Sequence, residues 1–324
     1  MTSSGRHQVL PTTRISFEKM FSEFDFQPLS GIRALTLAIN VPGPVAAARL
    51  SELGATVIKV EPPGGDPLSR ISPAWYESLT RDQKILRLNL KEPNERAQLD
   101  HLLEASDLLI TATRSSALNR LSLGWSQIHA NFPRLSQVAI IGHLPPNEET
   151  AGHDATYQAE LGLIAPPDLP RTLIADLAGA ERVVSAAVAL LFERERNGVG
   201  GYARVALVEA ARIFAEPLRY GLTTQGGPLG GALPGYNLYR TLDGWVVVAA
   251  LESHFWERLQ HELRLSEPTH EELGRVFLAR RSLDWQEWAS ARDLPLAAVP
   301  EACSESSSAG LEEVAWCGPV DQEF

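Results

Sequence analysis

Short apolar runs alternate with helix-periodic stretches along most of this chain, and that alternation constrains the fold more than any single motif. Residues 32–39 (IRALTLAI), 56–61 (TVIKVE), 85–90, 108–111 and 135–141 read as buried strands. Between them, residues 45–53, 93–105, 117–121 and 125–131 carry helical spacing, and Gly54 is a natural stop for the first of these helices. A strand that feeds a helix and then a second strand makes the two strands parallel neighbours. The pattern predicts an α/β fold with a mostly parallel sheet.

Farther along, residues 155–163 are helical. A long amphipathic helix is expected over 177–196, ended by Gly198-Val199-Gly200-Gly201. A strand over 202–208 and a helix over 209–220 follow. The glycine-rich run 221–235 reads as a linker where a second domain begins. Beyond it, 236–240 and 245–250 form a hairpin turning at Leu242-Asp243-Gly244. Helical segments are expected over 254–263 and 283–290. The expected organisation is an N-terminal extension over 1–28, a large domain over 29–225, and a smaller α+β domain with a C-terminal tail over 226–324.

The break after the first strand, Asn40-Val41-Pro42-Gly43-Pro44, is not G-x-G-x-x-G, and no G-x-x-x-x-G-K-[ST] occurs, so neither a dinucleotide nor a P-loop nucleotide site has support. With a formal charge of −11 and a pI of about 5.3, the chain lacks the basic surface on which non-specific nucleic-acid binding rests. An anionic small ligand stays open, because a local basic pocket can sit on an acidic protein. Cys303 and Cys317 are the two cysteines and show no zinc spacing, which fits a reducing cytoplasm. No apolar run is long enough for a membrane span. Residues 1–28 lack the apolar core of a signal peptide.

Candidate chemistry gathers between residues 152 and 209. Asp176 follows an apolar run and is expected at a helix N-cap, where its carboxylate accepts backbone N–H groups. It is either that cap alone or a base or nucleophile held at the C-terminal end of a sheet, where open α/β folds bind ligands. His153 lies in the loop before the 155–163 helix, and Asp154 beside it is expected to cap that helix. Glu252 follows the strand over 245–250 and reads alone as a surface acid. His254 competes with His153 for any imidazole role, and His143 directly follows a strand. No G-x-S-x-G elbow and no metal-ligand spacing is present, so no metal is expected.

Five segments in order resemble the family III CoA-transferase superfamily, which includes the α-methylacyl-CoA racemases. They are Leu29–Leu35 with Pro42-Gly43-Pro44; Leu53–Asp66 (LGATVIKVEPPGGD); Leu88-Asn89-Leu90-Lys91; Ala175-Asp176-Leu177-Ala178-Gly179 running on to Gly198; and Tyr239–Trp245 (YRTLDGW). The resemblance implies a Rossmann-like large domain that binds CoA, a smaller second domain and an interlocked homodimer. It implies acyl-CoA thioesters as substrates, with no permanently bound cofactor, no nucleic acid and no membrane. In the transferase branch, the acid matching Asp176 is the nucleophile. In the racemase branch, it pairs with the His of a Gly-His-Asp motif, here His153, and a Glu matching Glu252 assists. All three residues are present, so the chain resembles the racemase branch more. Lys59, Lys91 and Arg120 match basic positions around the nucleotide end of CoA. Asp154 and Tyr236, with the loop 226–235, are placed at the acyl pocket, and backbone N–H groups after Asp176 or near Gly152 are candidates to hold an enolate oxygen. One departure is the loop before Gly152 (PPNEETA), acidic where the family is rich in Gly and Pro.

Overall fold

A computed structural model describes residues 26–300. Most of the expected extension, both cysteines and the C-terminal tail lie outside the described residues. The chain divides into two compact units between Ala215 and Glu216.

The first unit is built on β1 (Arg33–Thr36), β2 (Thr56–Glu61), β3 (Lys84–Arg87), β4 (Leu108–Thr111), β5 (Ser136–Ile141) and β6 (Tyr202–Ala206). All five pairings are parallel, and the strand order is β3-β2-β1-β4-β5-β6. That is a doubly wound order, in which the direction of winding reverses between β1 and β4. The strands have period 2, so neighbouring residues serve opposite faces. Ala34, Leu108 and Ile110 pack with helices α1 (Pro42–Glu52) and, farther on, α8 (Ile174–Asn197). Short α2 (Leu68–Ile71) leads into α3 (Pro73–Thr80), whose Trp75 and Leu79 also pack on that first core, whereas Leu35 and Leu109 face the other layer, formed by α4 (Pro93–Glu104), α5 (Ser115–Arg120) and α6 (Trp125–Asn131), where Leu99, Leu103, Leu118 and Ile128 fill the core.

The Pro-Gly-Pro break has a steric reason. A Cβ on Gly43 would sit 2.3 Å from the Cβ of Ala38, so only glycine lets α1 start this close to the end of β1. Pro42 occupies the first helical turn, where its missing N–H costs nothing.

Helix α7 (Asp154–Glu160) precedes α8, and α9 (Leu207–Arg219) follows β6 directly. Helix α8 begins at Ile174, three residues earlier than the sequence pattern predicts, with Leu173 as N-cap. Asp176 is therefore the third helical residue and not the cap, which corrects the expectation above. The reason lies in α7, whose Asp154 accepts the first-turn N–H groups of α8.

The second unit holds an antiparallel sheet, β7 (Tyr236–Arg240), β8 (Trp245–Ala249) and β9 (Leu296–Val299), with α10 (Ser253–Leu263), α11 (His270–Phe277) and α12 (Ser282–Ser290). Its core is centred on Phe277 and Trp285, whose rings meet edge to face at 5.0 Å. The Asp-Gly hairpin turn forms as expected. Asp243 also anchors α12, accepting the Ser282 N–H at 2.8 Å. The glycine-rich run falls inside this unit and is closed on itself, with Gly227 donating to Thr224 O at 2.7 Å and Leu229 to Leu222 O at 2.8 Å.

Candidate active site

The C-terminal ends of β1, β4 and β5 open into one cavity of about 270 Å3 in the first unit. Asn40 and Pro42 reach it from the turn after β1, Ala112 and Arg114 from the turn after β4, and Gly142 from the end of β5. This is the switch point of the sheet, where crossovers leave in opposite directions and a crevice forms. His153, Tyr157 and Asp176 line the same cavity, with Glu148, Gly152 and Leu207.

Asp154 organises two helices at once. Its Oδ1 accepts the N–H of Ala175 at 2.7 Å and of Asp176 at 3.1 Å. Leu173 has no side chain that can cap α8, so the carboxylate of another helix satisfies the first-turn donors instead. Gln158 holds the other oxygen of Asp154 at 2.5 Å and also donates to Thr172 O at 3.0 Å. Asp154 is 5% exposed and does not line the cavity. Its expected place in the substrate pocket is thus corrected to a support beneath it. It is also not the cap of α7, whose N-cap is His153.

The same bonds remove an expected oxyanion site. The N–H groups of Ala175 and Asp176 are spent on Asp154, and that of Leu177 donates to Leu173 O. None is left to hold an enolate oxygen.

Asp176 is half-buried, and its carboxyl is pushed up to about 7, first by burial and then by the negative charge of Asp154. A carboxyl in that range exchanges protons at neutral pH. Tyr157 lies under the cavity, 3% exposed, and burial together with the charges of Asp176 and Glu160 raises its phenol. Gly152 exists for this ring: a Cβ there would sit 2.5 Å from Tyr157 Cε1, and one on Gly142 would sit 2.4 Å from its hydroxyl. The Gly of Gly-His-Asp thus makes room for an aromatic floor one turn into α7.

His153 is exposed at the start of α7, where its N–H donates to Thr156 Oγ1 at 3.0 Å. His143 does not line the cavity; its Nε2 meets Glu160 at 2.9 Å. Glu252 is an exposed residue at the N-cap of α10, and His254 lies against Phe255, ring centres 4.0 Å apart. Tyr236 is half-buried at the start of β7.

The basic candidates separate. Lys91 and Arg120 are exposed on the first unit. Lys59 is fully buried, its Nζ 2.6 Å from Glu61 Oε1 and 2.6 Å from Asp66 Oδ2. It therefore cannot serve as a surface contact for phosphate, because two carboxylates already use its charge. Glu61 is lowered overall: burial would raise it, but the bonds from Lys59 and Tyr76 outweigh burial. Asp66 completes the cluster by accepting the N–H of Asn40, which holds a left-handed φ of 69° at the cavity edge. Sequence reasoning missed Arg114 and Tyr157 as cavity residues. Arg114 had a usable signal, its place just past the end of a central strand.

The chain is 30% identical over 265 residues to succinyl-CoA–D-citramalate CoA-transferase of Chloroflexus aurantiacus, covering 74% of this chain and 66% of the relative. It is 31% identical over 249 residues to human alpha-methylacyl-CoA racemase, covering 71% and 63%. The chain thus spans about two thirds or less of the length of these relatives. The crystal structure of the Mycobacterium tuberculosis protein Rv3272 superposes with a TM-score of 0.73 at 25% identity, covering 84% of this chain and 83% of that one. A model of the family described as CoA-transferase family III matches residues 29–313, and by that match, on a fold its solved relative shares, the chain belongs to the CoA-transferase family III.

Proposed function

We propose that this protein is a racemase or epimerase of the α-methylacyl-CoA type, moving a proton at the α-carbon of a CoA thioester between His153 and Asp176. One observation carries the reading: an imidazole and a carboxyl that burial and Asp154 hold near 7 line one cavity. Inversion needs a base on each face of the carbon, and each base must be an effective acid in the reverse direction at the working pH. One group takes the α-proton while the C–H electron pair passes into the thioester enolate. The conjugate acid of the other then delivers a proton to the opposite face, and the pair re-forms the C–H bond. Exposed Lys91 and Arg120 are proposed to meet the phosphates of CoA, and Arg114 adds a cation at the cavity itself. An assisting role for Glu252, a wall of the acyl pocket from Tyr236, a homodimer and a cytoplasmic site of action belong to the same proposal.

The identity to a CoA-transferase supports a second reading, in which ionised Asp176 attacks the thioester carbonyl and carries the acyl group between CoA and a free acid. A carboxyl held near 7 suits proton transfer better than a role that needs it always ionised. One assay decides. With a 2-methylacyl-CoA in deuterated water, α-deuterium uptake with racemisation is expected, and racemisation is expected to vanish in His153→Ala and Asp176→Ala and to fall in Glu252→Ala. Racemisation that survives Asp176→Ala overturns the site assignment. Acyl exchange with a free acid that needs Asp176 but not His153 transfers the case to the transferase. Acyl-CoA binding with neither reaction leaves a binding homologue of the fold.

A further inference from the structure

The first N–H groups of α8 are spent on Asp154, and the N–H of His153 is spent on Thr156 Oγ1. One side chain in the cavity still has a donor to give. The Tyr157 hydroxyl lines the cavity without a hydrogen-bond partner among the described residues, and its oxygen is not sealed off. A buried tyrosine ordinarily finds a partner for its O–H, so a ligand in the cavity is left to supply one. The position of that oxygen is fixed. It sits between Gly142 and Gly152, where a Cβ on Gly152 would meet it at 2.7 Å, and the His143 ring meets the Tyr157 ring edge to face, centres 5.3 Å apart. A donor held in place before the reaction costs no reorganisation when charge develops beside it.

The phenol also keeps its proton, because burial and then the charges of Asp176 and Glu160 raise it. Asn40, Arg114 and Thr150 line the same cavity but are exposed, where water competes for their hydrogen bonds. We infer that the Tyr157 hydroxyl is a catalytic donor to the thioester oxygen and stabilises the enolate. As the α-proton leaves, the C–H pair becomes the C=C bond of the enolate and the carbonyl π pair moves onto oxygen. Tyr157 donates a hydrogen bond to that oxygen and retains its proton, and the pairs return when the α-carbon is reprotonated. The inference rests on the proton-transfer reading of this cavity and deepens it by assigning the group that holds the developing charge.

Tyr157→Phe tests it, since phenylalanine keeps the ring against Gly142 and Gly152 and removes only the hydroxyl. α-Deuterium exchange of 2-methylbutanoyl-CoA is measured beside calorimetric binding of S-(2-methylbutyl)-CoA, a thioether that lacks the carbonyl oxygen. In the variant, kcat for exchange is expected to fall about 100-fold, as for the loss of one oxyanion donor, with little change in KM. Thioether binding is expected to be equal in the two proteins. Exchange at the wild-type rate in Tyr157→Phe overturns the inference alone and returns the oxygen to a backbone N–H near Gly152. Slow exchange with equally weakened thioether binding makes the residue structural and also overturns it. A wild-type protein that binds the thioether but exchanges no deuterium overturns the proton-transfer reading, and the inference falls with it. Failure of the wild type to bind either ligand overturns the acyl-CoA reading as well.

Discussion

Asp154 and Asp176 share a backbone hydrogen bond across two helices: the N–H of Asp176 donates to Asp154 Oδ1 at 3.1 Å, beside the 2.7 Å bond from Ala175. The carboxylate that starts α8 from outside is also the charge that acts on the Asp176 side chain. One residue on a neighbouring helix therefore positions the candidate base and adds its charge to the burial that raises it.

Asp154→Asn separates those two effects. Its amide oxygen still accepts one backbone N–H, so the start of α8 is weakened by about 1 kcal/mol rather than lost. The negative charge is gone, and burial alone is left to raise Asp176. The acid limb of the pH profile for α-deuterium exchange is expected to move to lower pH. A limb that stays in place would show that Asp154 acts only as a cap.

The raised carboxyl has a cost in stability. Asp176 in the folded protein holds its proton up to about 7, whereas the unfolded chain releases it near the ordinary carboxyl value of 3.8. Between those values the folded state binds more protons, so stability falls as pH rises through that window. Asp176→Asn removes the ionisation. Urea unfolding is expected to find the variant close to wild type at pH 4 and more stable at pH 8, by on the order of 3 kcal/mol. Parallel curves at both pH values would contradict the raised carboxyl.

Much of the sheet could be read from the chain. β2 and β4 have the bounds that their apolar runs predict, because both runs end at a turn signal or a polar residue. The start of α8 could not be read locally, since its cap comes from Asp154 in another helix and the capping rule pointed at Asp176 instead. Lys59 was misplaced although a signal existed: Lys59 and Glu61 are two apart on one strand and so share a face. α11 and β9 were not anticipated, and β9 gains its identity only by pairing with β8.

Gly179 in the Ala-Asp-Leu-Ala-Gly segment is a packing glycine. A Cβ there would lie 2.2 Å from Leu207 Cδ2, at the start of α9 and in the cavity wall. Gly179→Ala is expected to destabilise by about 1–3 kcal/mol through overpacking. Adding Leu207→Ala relieves the clash, so the double variant is expected to be less destabilised than the sum of the two single changes. Strict additivity in thermal unfolding would disprove the contact.

Lys59 differs from Lys91 and Arg120 in what its loss should do. Lys59→Met leaves Glu61 and Asp66 buried without their shared cation, and breaking one partner of a buried ion pair costs about 3–5 kcal/mol. The same change frees Asp66 from the bond that places it against Asn40, so the cavity edge loosens with the fold. Lys91→Ala and Arg120→Ala touch exposed side chains and are expected to shift stability by no more than about 0.5 kcal/mol. Their effect should appear in the affinity for CoA thioesters and in its salt dependence, because an exposed cation meeting a phosphate is screened by added ions. Binding curves at low and high salt, set beside unfolding curves for the same three variants, distinguish the classes. A Lys59→Met protein of unchanged stability with weakened CoA binding would reverse the assignment and return Lys59 to the nucleotide site.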